Sequence, residues 1–231
     1  MEQHTSQDIG LAAVDAIALD NIKDVGTTLS DAVVEALLDH SLLENIPVVG
    51  IAFKMVKAGS AIRDRLFIKK LGKFLLELEA VPTAERERFV EELDSEQTTK
   101  QRIGENLTLL LDRFDDVQKA SLLDKFFKLY LSKNFSYHVF RRYSMIIDNA
   151  YLPDLEALVG LHSVNEITEM DLSETCMQAL SVLGLTMGAP VHREIEPSHK
   201  DYELLSGSKM SATIWLNELG VCFRSFMRNY K

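Results

Sequence analysis

The sequence predicts a mainly α-helical protein, a multi-helix bundle followed by a small α+β module. Apolar residues recur every three or four positions through most of the first 150 residues, which is the spacing of one helix face. Only five prolines and eleven glycines interrupt the 231-residue chain, so long helices are favoured over many short strands. Hydrophobic residues make up 46% and charged residues 26%, a composition that excludes a disordered protein.

The first domain is expected to span residues 1–150 and to begin with acidic N-terminal helices over residues 1–45. An apolar face at helical spacing starts at Ile9. Thr28 or Ser30 can cap a second helix, because a side-chain oxygen at that position accepts a free backbone N–H.

Charge is distributed unevenly along the chain, whose formal net charge is −10. Residues 1–50 contain nine acidic residues and one basic residue, a net charge of −8. Residues 51–80 contain seven basic and three acidic residues, a net charge of +4. Because acidic surfaces repel phosphate, this distribution disfavours nucleic-acid binding outside residues 51–80.

The segment 46–80 joins a short apolar run to a basic amphipathic helix. Its longest uncharged stretch is the eight residues Ile46–Phe53. A membrane-spanning helix needs about 20 apolar residues, so a transmembrane segment is not expected. From Phe67 to Leu78 the apolar residues form one continuous helical stripe.

Two interpretations of this segment remain open. In the first, it is a surface that binds an anionic membrane or a protein partner. In the second, its apolar stripe packs in a core and its basic residues are a solvated face. The residues of this candidate surface are Ile46, Val48, Val49, Ile51, Phe53, Lys54, Lys57, Arg63, Arg65, Lys69, Lys70 and Lys73.

A charged helix is predicted from Pro82, and further apolar helical patterns follow as far as Ala150. The last of them mix aromatic residues with Lys133, Arg141 and Arg142, a combination that could stack on nucleic-acid bases. Their helical spacing instead favours a place in the core. These aromatic residues are Tyr130, Phe135, Tyr137, Phe140 and Tyr143.

The second domain, residues 151–231, has a different order of elements. Helices are predicted over Asp154–His162 and Leu172–Met187, a strand over Ala212–Leu216, and a final helix capped by Asn217. A second strand is expected at Val191–Glu196, before the intervening polar loop. This order is that of a winged-helix-like module. The second of these helices contains no lysine or arginine, which favours protein contact over DNA recognition.

No motif predicts a catalytic, metal or cofactor site. Cys176, Cys222, His192 and His199 lack the short spacing of metal-ligand pairs, so buried structural cysteines and surface histidines are expected. Phosphate-binding glycine motifs and a nucleophile motif are absent from the sequence. We therefore expect no cofactor and a protein that is not an enzyme. The absence of a secretion signal predicts a cytoplasmic protein.

Several runs resemble a group of uncharacterised bacterial helical proteins from mobile and prophage-associated regions. The resemblance covers roughly residues 45–231 and leaves out the acidic N-terminus. It implies a role in phage–host conflict and supplies no catalytic residues. The runs are IPVVG…KAGSAIRDRLFIKKLGKFLLEL, RERFVEEL, ENLTLLLDRFDD, LLDKFFKLYLSKNFSYHVFRR and the tail ALSVLGL…YELL…LNELGVCFRSF.

The sequence thus leads to three hypotheses of function. The first is a non-enzymatic interaction or regulatory protein with an unidentified protein partner. The alternative is a membrane-acting effector of phage defence that uses residues 46–73, located in the cytoplasm and peripherally at the inner membrane. The third and weakest is a nucleic-acid-associated regulator that binds through residues 54–73.

Overall fold

A computed structural model gives the fold. The chain divides into two compact units, Met1–Asp148 and Asn149–Lys231. The described part is mainly helical, which confirms the predicted fold class at this level. The residues that the structure describes are 2–25, 62–162, 167, 171–188 and 214–229.

The first unit is mainly helical, and short turns join its helices between residues 62 and 149. Among the described residues, one 3-10 turn, Leu78–Ala80, follows the helix that ends at Glu77. The helices are α1 (Glu2–Ile17), α2 (Ile62–Glu77), α3 (Thr83–Asp94), α4 (Gln97–Arg113), α5 (Gln118–Leu131) and α6 (Tyr137–Asn149).

Helices α1 and α4 cross with their backbones in contact. A Cβ atom added to Gly10 would lie 2.7 Å from the carbonyl carbon of Gly104, which is closer than real Cβ contacts. Val14 and Ile17 of α1 are completely buried. The first acidic helix is therefore an integral part of the core of this unit.

Two buried cations fix the end of α1. The Arg86 guanidinium donates hydrogen bonds to the carbonyl oxygens of Ile17 at 2.5 Å and Leu19 at 2.7 Å. The Lys100 ammonium lies 2.5 Å from a carboxylate oxygen of Asp15. Carbonyl groups at the end of a helix have no intrahelical partner, so Arg86 satisfies groups that α1 cannot satisfy itself.

Phe127 lies within an aromatic cluster that joins four helices. Its ring centroid is 5.3 Å from that of Phe74, 5.7 Å from that of Phe89 and 5.5 Å from that of Phe140, all edge to face. Phe140 and Tyr143 are buried, which confirms their predicted place in the core. Half-exposed aromatic residues extend this cluster through further ring contacts: Tyr130, Phe135 and Tyr137.

The second unit combines short helices with a small antiparallel sheet. Thr186 pairs with Leu216 and Met187 with Trp215, while Ile167 forms an isolated bridge with Ile214. Its described elements are α7 (Leu152–Gly160), α8 (Glu174–Val182), β1 (Thr186–Met187), β2 (Trp215–Leu216) and α9 (Glu218–Asn229).

One predicted helix of this unit is shorter than expected. The sequence predicts a helix over Leu172–Met187, but α8 ends at Val182 and the last two residues of that range form β1. Gly184 adopts a positive φ of 71°, a conformation that commonly ends a helix. The predicted cap of the last helix is confirmed, because Asn217 Oδ1 accepts the backbone N–H of Gly220 at 2.9 Å.

Candidate interaction surfaces

The structure describes only part of the candidate surface in residues 46–73. Arg63 and Arg65 lie in the first turn of α2, and the structure describes their backbone but not their side chains. Lys69, Lys70 and Lys73 are fully described. Outside the described residues lie Ile46, Val48, Val49, Ile51, Phe53, Lys54 and Lys57.

Lys70 does not belong to an exposed basic surface. Its side chain is buried, and its ammonium donates hydrogen bonds to the carbonyl oxygens of Asp112 at 3.0 Å and Phe114 at 2.7 Å. Both carbonyls lie where α4 ends. A cation there donates hydrogen bonds to the free carbonyl groups and interacts favourably with the negative end of the helix dipole. The sequence indicates that Lys70 is buried. It lies three residues after Phe67 and four before Phe74, which places it on the apolar side of the helix.

The other two lysines of α2 face solvent to different degrees. Lys69 is exposed, whereas Lys73 is half-exposed and lies 2.9 Å from a carboxylate oxygen of Glu77. Leu66, which precedes Lys69 by three residues, is 46% exposed. These positions share one side of the helix, so α2 presents a narrow strip with one apolar and two basic side chains.

One buried carboxylate, that of Asp124, has a pKa well above its usual range. Asp124 of α5 is fully buried, and Lys128 Nζ lies 2.7 Å from one of its oxygens. That approach has the distance of an ion pair but lacks the geometry of a hydrogen bond. Burial raises the pKa of Asp124 to about 7, although the charge of Lys128 acts in the opposite direction.

Asp124 belongs to a group of charges between α2 and α5. Ser121 Oγ lies 3.5 Å from Glu77 Oε1, the carboxylate that also contacts Lys73. Burial would raise the pKa of Glu77, but the hydrogen bond and charge of Lys73 outweigh it and the pKa is lowered. Burial lowers the pKa of Lys125. This group couples the two helices electrostatically, and sequence analysis did not identify it.

An apolar pair lies on the exposed side of the sheet in the second unit. Trp215 is 42% exposed and Met187 is 52% exposed, and the two are directly opposite each other across β1 and β2. The alternate residues, Thr186 and Leu216, are buried. One side of this sheet therefore packs into the unit while the other presents adjacent apolar side chains to solvent.

Val182, the last residue of α8, is 88% exposed. Single exposed apolar residues are common on soluble proteins, whereas Trp215, the only tryptophan of the chain, lies next to a second exposed apolar residue, Met187. The sequence signal for this is the predicted strand at Ala212–Leu216. Side chains alternate along a strand, so Trp215 lies on the opposite side from its neighbours Ile214 and Leu216.

A buried arginine stabilises the second unit. Arg224 of α9 donates hydrogen bonds to the carbonyl oxygens of Leu158, at 3.2 Å, and Leu161, next to the end of α7. Burial lowers the pKa of Arg224, as expected for a cation removed from water. Its partners are helix-end carbonyls, so this arginine has a structural role.

Of the two cysteines that the sequence predicts to be buried, Cys176 is buried and Cys222 is only partly so. Cys176 is buried, and burial raises its pKa to about 12, so it remains a neutral thiol at physiological pH. Cys222 is half-buried, while His192 and His199 lie outside the described residues. Across the described ranges, no three His, Cys, Asp or Glu side chains converge as metal ligands would.

Within the described part of the chain, no helix has the length and apolar character needed to cross a membrane. Comparisons with protein-family models, with curated proteins and with solved structures found no match to this chain.

Proposed function

We propose that this protein is a non-enzymatic interaction protein that binds a protein partner through the exposed side of the sheet in its second unit. The observation that carries the proposal is the pair formed by Trp215 and Met187. Tryptophan and methionine are enriched in protein interfaces, where tryptophan often contributes a large share of the binding free energy. The sheet fixes both side chains before binding, which reduces the entropy lost on association.

We also propose that the second unit is a winged-helix-like module used for protein contact. The sheet supports this, because Ile214 bridges Ile167 while Trp215 and Leu216 pair with β1 on the other side. Among the described residues of this unit the order is helix, isolated bridge, helix, strand, strand, helix, which keeps the predicted succession of two helices, two strands and a closing helix. Helix α8 has Glu174 in its first turn and no basic residue, which disfavours a role in DNA recognition.

Affinity capture of the tagged full-length protein from bacterial cells tests the first proposal. The informative variants are Trp215→Ser and Met187→Ser, and the matched control is Leu109→Ser, because Leu109 is 52% exposed on α4 of the first unit. We expect the wild type and the control to recover the same partner and both test variants to lose it. Unchanged recovery by folded test variants, checked by circular dichroism, would contradict the proposal.

The second candidate is a membrane-acting effector, and the exposed strip of α2 favours it. Leu66, Lys69 and Lys73 offer an apolar side chain beside two cations, the combination that binds anionic lipid surfaces. In this candidate the protein is cytoplasmic and contacts the inner membrane peripherally. A role in phage–host conflict rests on the sequence resemblance alone.

Sedimentation with anionic and with neutral liposomes tests this second candidate. The variant Lys69→Glu/Lys73→Glu should abolish salt-sensitive binding to anionic vesicles, whereas the control Arg88→Glu/Lys133→Glu changes the same charge elsewhere and should retain it. Lys70 is left unchanged because its side chain stabilises the fold. No sedimentation of the wild type under any condition would eliminate the membrane candidate. Salt-sensitive DNA binding lost in the same variant would instead support the nucleic-acid hypothesis.

A further inference from the structure

The exposed pair Trp215 and Met187 belongs to an acidic unit. Residues 151–231 contain eleven acidic and six basic residues, a net charge of −5. Arg224 is buried against backbone carbonyls, which leaves Arg228 as the one exposed lysine or arginine among the described residues of this unit. The exposed carboxylates of the same described part are those of Glu156, Asp171, Glu174 and Glu218.

One of these carboxylates lies close to the apolar pair. Glu218 is the first residue of α9 and follows Trp215 by three residues, so the chain alone keeps their Cα atoms within about 11 Å of each other. Arg228 is ten residues further along α9, about 15 Å along the helix axis. Charge near Trp215 is therefore negative, and the exposed arginine lies toward the far end of the helix.

The start of α9 is fixed against the segment that leads into β1. Asn217 donates hydrogen bonds from its Nδ2 to the carbonyl oxygen of Gly184 at 2.7 Å and from its backbone N–H to that of Leu185 at 3.2 Å. Gly220 approaches the Leu185 carbonyl so closely that an added Cβ would overlap it. Glu218 is thus held next to the sheet before a partner binds, which reduces the entropy lost on association.

We propose that this surface binds a basic segment of the partner protein, in which lysine or arginine side chains flank an apolar residue. This inference rests on the proposed function of the same surface. A cation over the face of a tryptophan ring is attracted to it, and tryptophan is the most effective aromatic residue in this respect. Met187 can pack against an apolar side chain of varied shape, while the carboxylates attract the basic segment from a distance.

The same charges disfavour other occupants of this surface. Nucleic acids and anionic lipid surfaces carry negative charge, which the acidic unit repels. A second copy of the chain that used the same surface would bring two acidic units and two Glu218 side chains together, and like charges across an interface are unfavourable. A basic protein segment is the occupant that meets both the apolar pair and the surrounding carboxylates.

The emission of Trp215 tests the proposal without a label, because the chain has no other tryptophan. The full-length protein is titrated with a synthetic peptide that contains leucines flanked by lysines and no aromatic residue. A second peptide has glutamate in place of each lysine, and a third has serine in place of each leucine. We expect a saturable change with the lysine–leucine peptide, weakened by salt, and binding of the other two that is at least about tenfold weaker.

Two variants assign this binding to the surface, and both retain Trp215 as the probe. Met187→Ser should weaken the lysine–leucine peptide by at least about fivefold. Glu218→Lys should weaken it by about three- to tenfold and reduce its salt dependence. The matched control is Glu91→Lys, which makes the same charge change at an exposed position on α3 of the first unit and should alter affinity by less than about twofold.

Several results would overturn the inference. These are equal or tighter binding of the glutamate peptide, tighter binding of anionic vesicles or duplex DNA, and unchanged affinity in both folded variants. A change in Trp215 emission with protein concentration alone would identify a second copy as the occupant instead. If no peptide binds but Trp215→Ser still loses its cellular partner, only the basic-segment inference fails. Capture that does not depend on Trp215 would overturn the proposed function itself.

Discussion

Gly10 and Gly104 bring α1 and α4 into direct backbone contact. A Cβ added to Gly104 would lie 2.5 Å from the carbonyl oxygen of Gly10. The two backbones would have to move apart to remove this overlap. This contact makes the N-terminal helix part of the core, together with the buried side chains of Val14 and Ile17. The geometry leads to a direct test.

Replacing Gly104 by alanine should destabilise the protein although alanine favours helix formation. The overlap with Gly10 should cost up to about 3 kcal/mol, which exceeds the roughly 1 kcal/mol that alanine contributes in a helix. Gly160→Ala is the matched control, because a Cβ at Gly160 meets nothing within 4 Å. Urea unfolding measures both variants, and equal midpoints would contradict this account of the crossing.

Arg86 should be important for the attachment of α1. Replacing it by methionine removes the hydrogen bonds to Ile17 and Leu19 and leaves buried carbonyl groups without partners. Each such group costs about 1–3 kcal/mol, so Arg86→Met should lower the free energy of unfolding by at least that amount. Hydrogen exchange should then show faster exchange of the α1 amides, and unchanged protection would refute the assigned role.

Lys70 and Lys69 should respond differently to the same substitution. Lys70→Met removes the cation from the carbonyls at the end of α4 and should destabilise the protein by about 1–3 kcal/mol. Lys69→Met changes an exposed residue and should alter stability by less than about 0.5 kcal/mol. Thermal unfolding of the two variants compares neighbouring lysines in one helix. Similar losses for both would show that Lys70 is not a specific helix cap.

Asp124 should make stability depend on pH near neutrality. Its pKa is raised from 3.8 to about 7, so between these values the folded protein binds a proton that the unfolded chain has lost. The free energy of unfolding should therefore fall as pH rises through this window, by an amount on the order of a few kcal/mol. Below pH 4 and above pH 7 this group should contribute no further change.

The variant Asp124→Asn tests this effect, because asparagine does not titrate at this position. Urea unfolding between pH 5 and pH 8 should show a loss of stability in the wild type that is absent from the variant. The quantity to compare is the difference between the wild-type and variant curves of unfolding free energy against pH. Glu77 and Asp115 have lowered pKa values, so at lower pH they make both proteins more stable as pH rises. Parallel curves would refute the assignment to Asp124.

The two thiols should react at very different rates. Burial raises the pKa of Cys176 to about 12, so its reactive thiolate is scarce, and its side chain is shielded from reagents. Cys222 is half-buried and should react first with a disulfide reagent in the native protein. Mass spectrometry of the labelled peptides distinguishes the sites. Equal labelling of both without denaturant would contradict the position given to Cys176.

The helical part of the fold could be predicted from the sequence because it depends on apolar spacing. The stripe from Phe67 to Leu78 follows the helix period and is buried, as are Phe140 and Tyr143, whereas Tyr130, Phe135 and Tyr137 are only partly buried. The end of α8 could not be placed in the same way. It depends on the backbone conformation of Gly184, which spacing alone does not specify.

The candidate surfaces were less predictable, because charge in a sequence does not distinguish a solvated lysine from a buried one. Lys69 and Lys70 are adjacent and chemically identical, yet the second contacts the end of a helix that lies some 40 residues away in sequence. Asp124 is a similar case, since its burial results from the packing of α5. The pairing of Trp215 with Met187 depends on the register of β1 and β2, which requires the folded structure.

The central claim is that the exposed side of the sheet in the second unit binds a protein partner, and site-specific photo-crosslinking in cells tests it most directly. A photoreactive amino acid replaces Met187 in one variant and Leu109 in another, since both positions are half-exposed and lie in different units. The account predicts one discrete crosslinked partner from position 187 and none from position 109. No adduct at 187, or the same adducts at both positions, would contradict it.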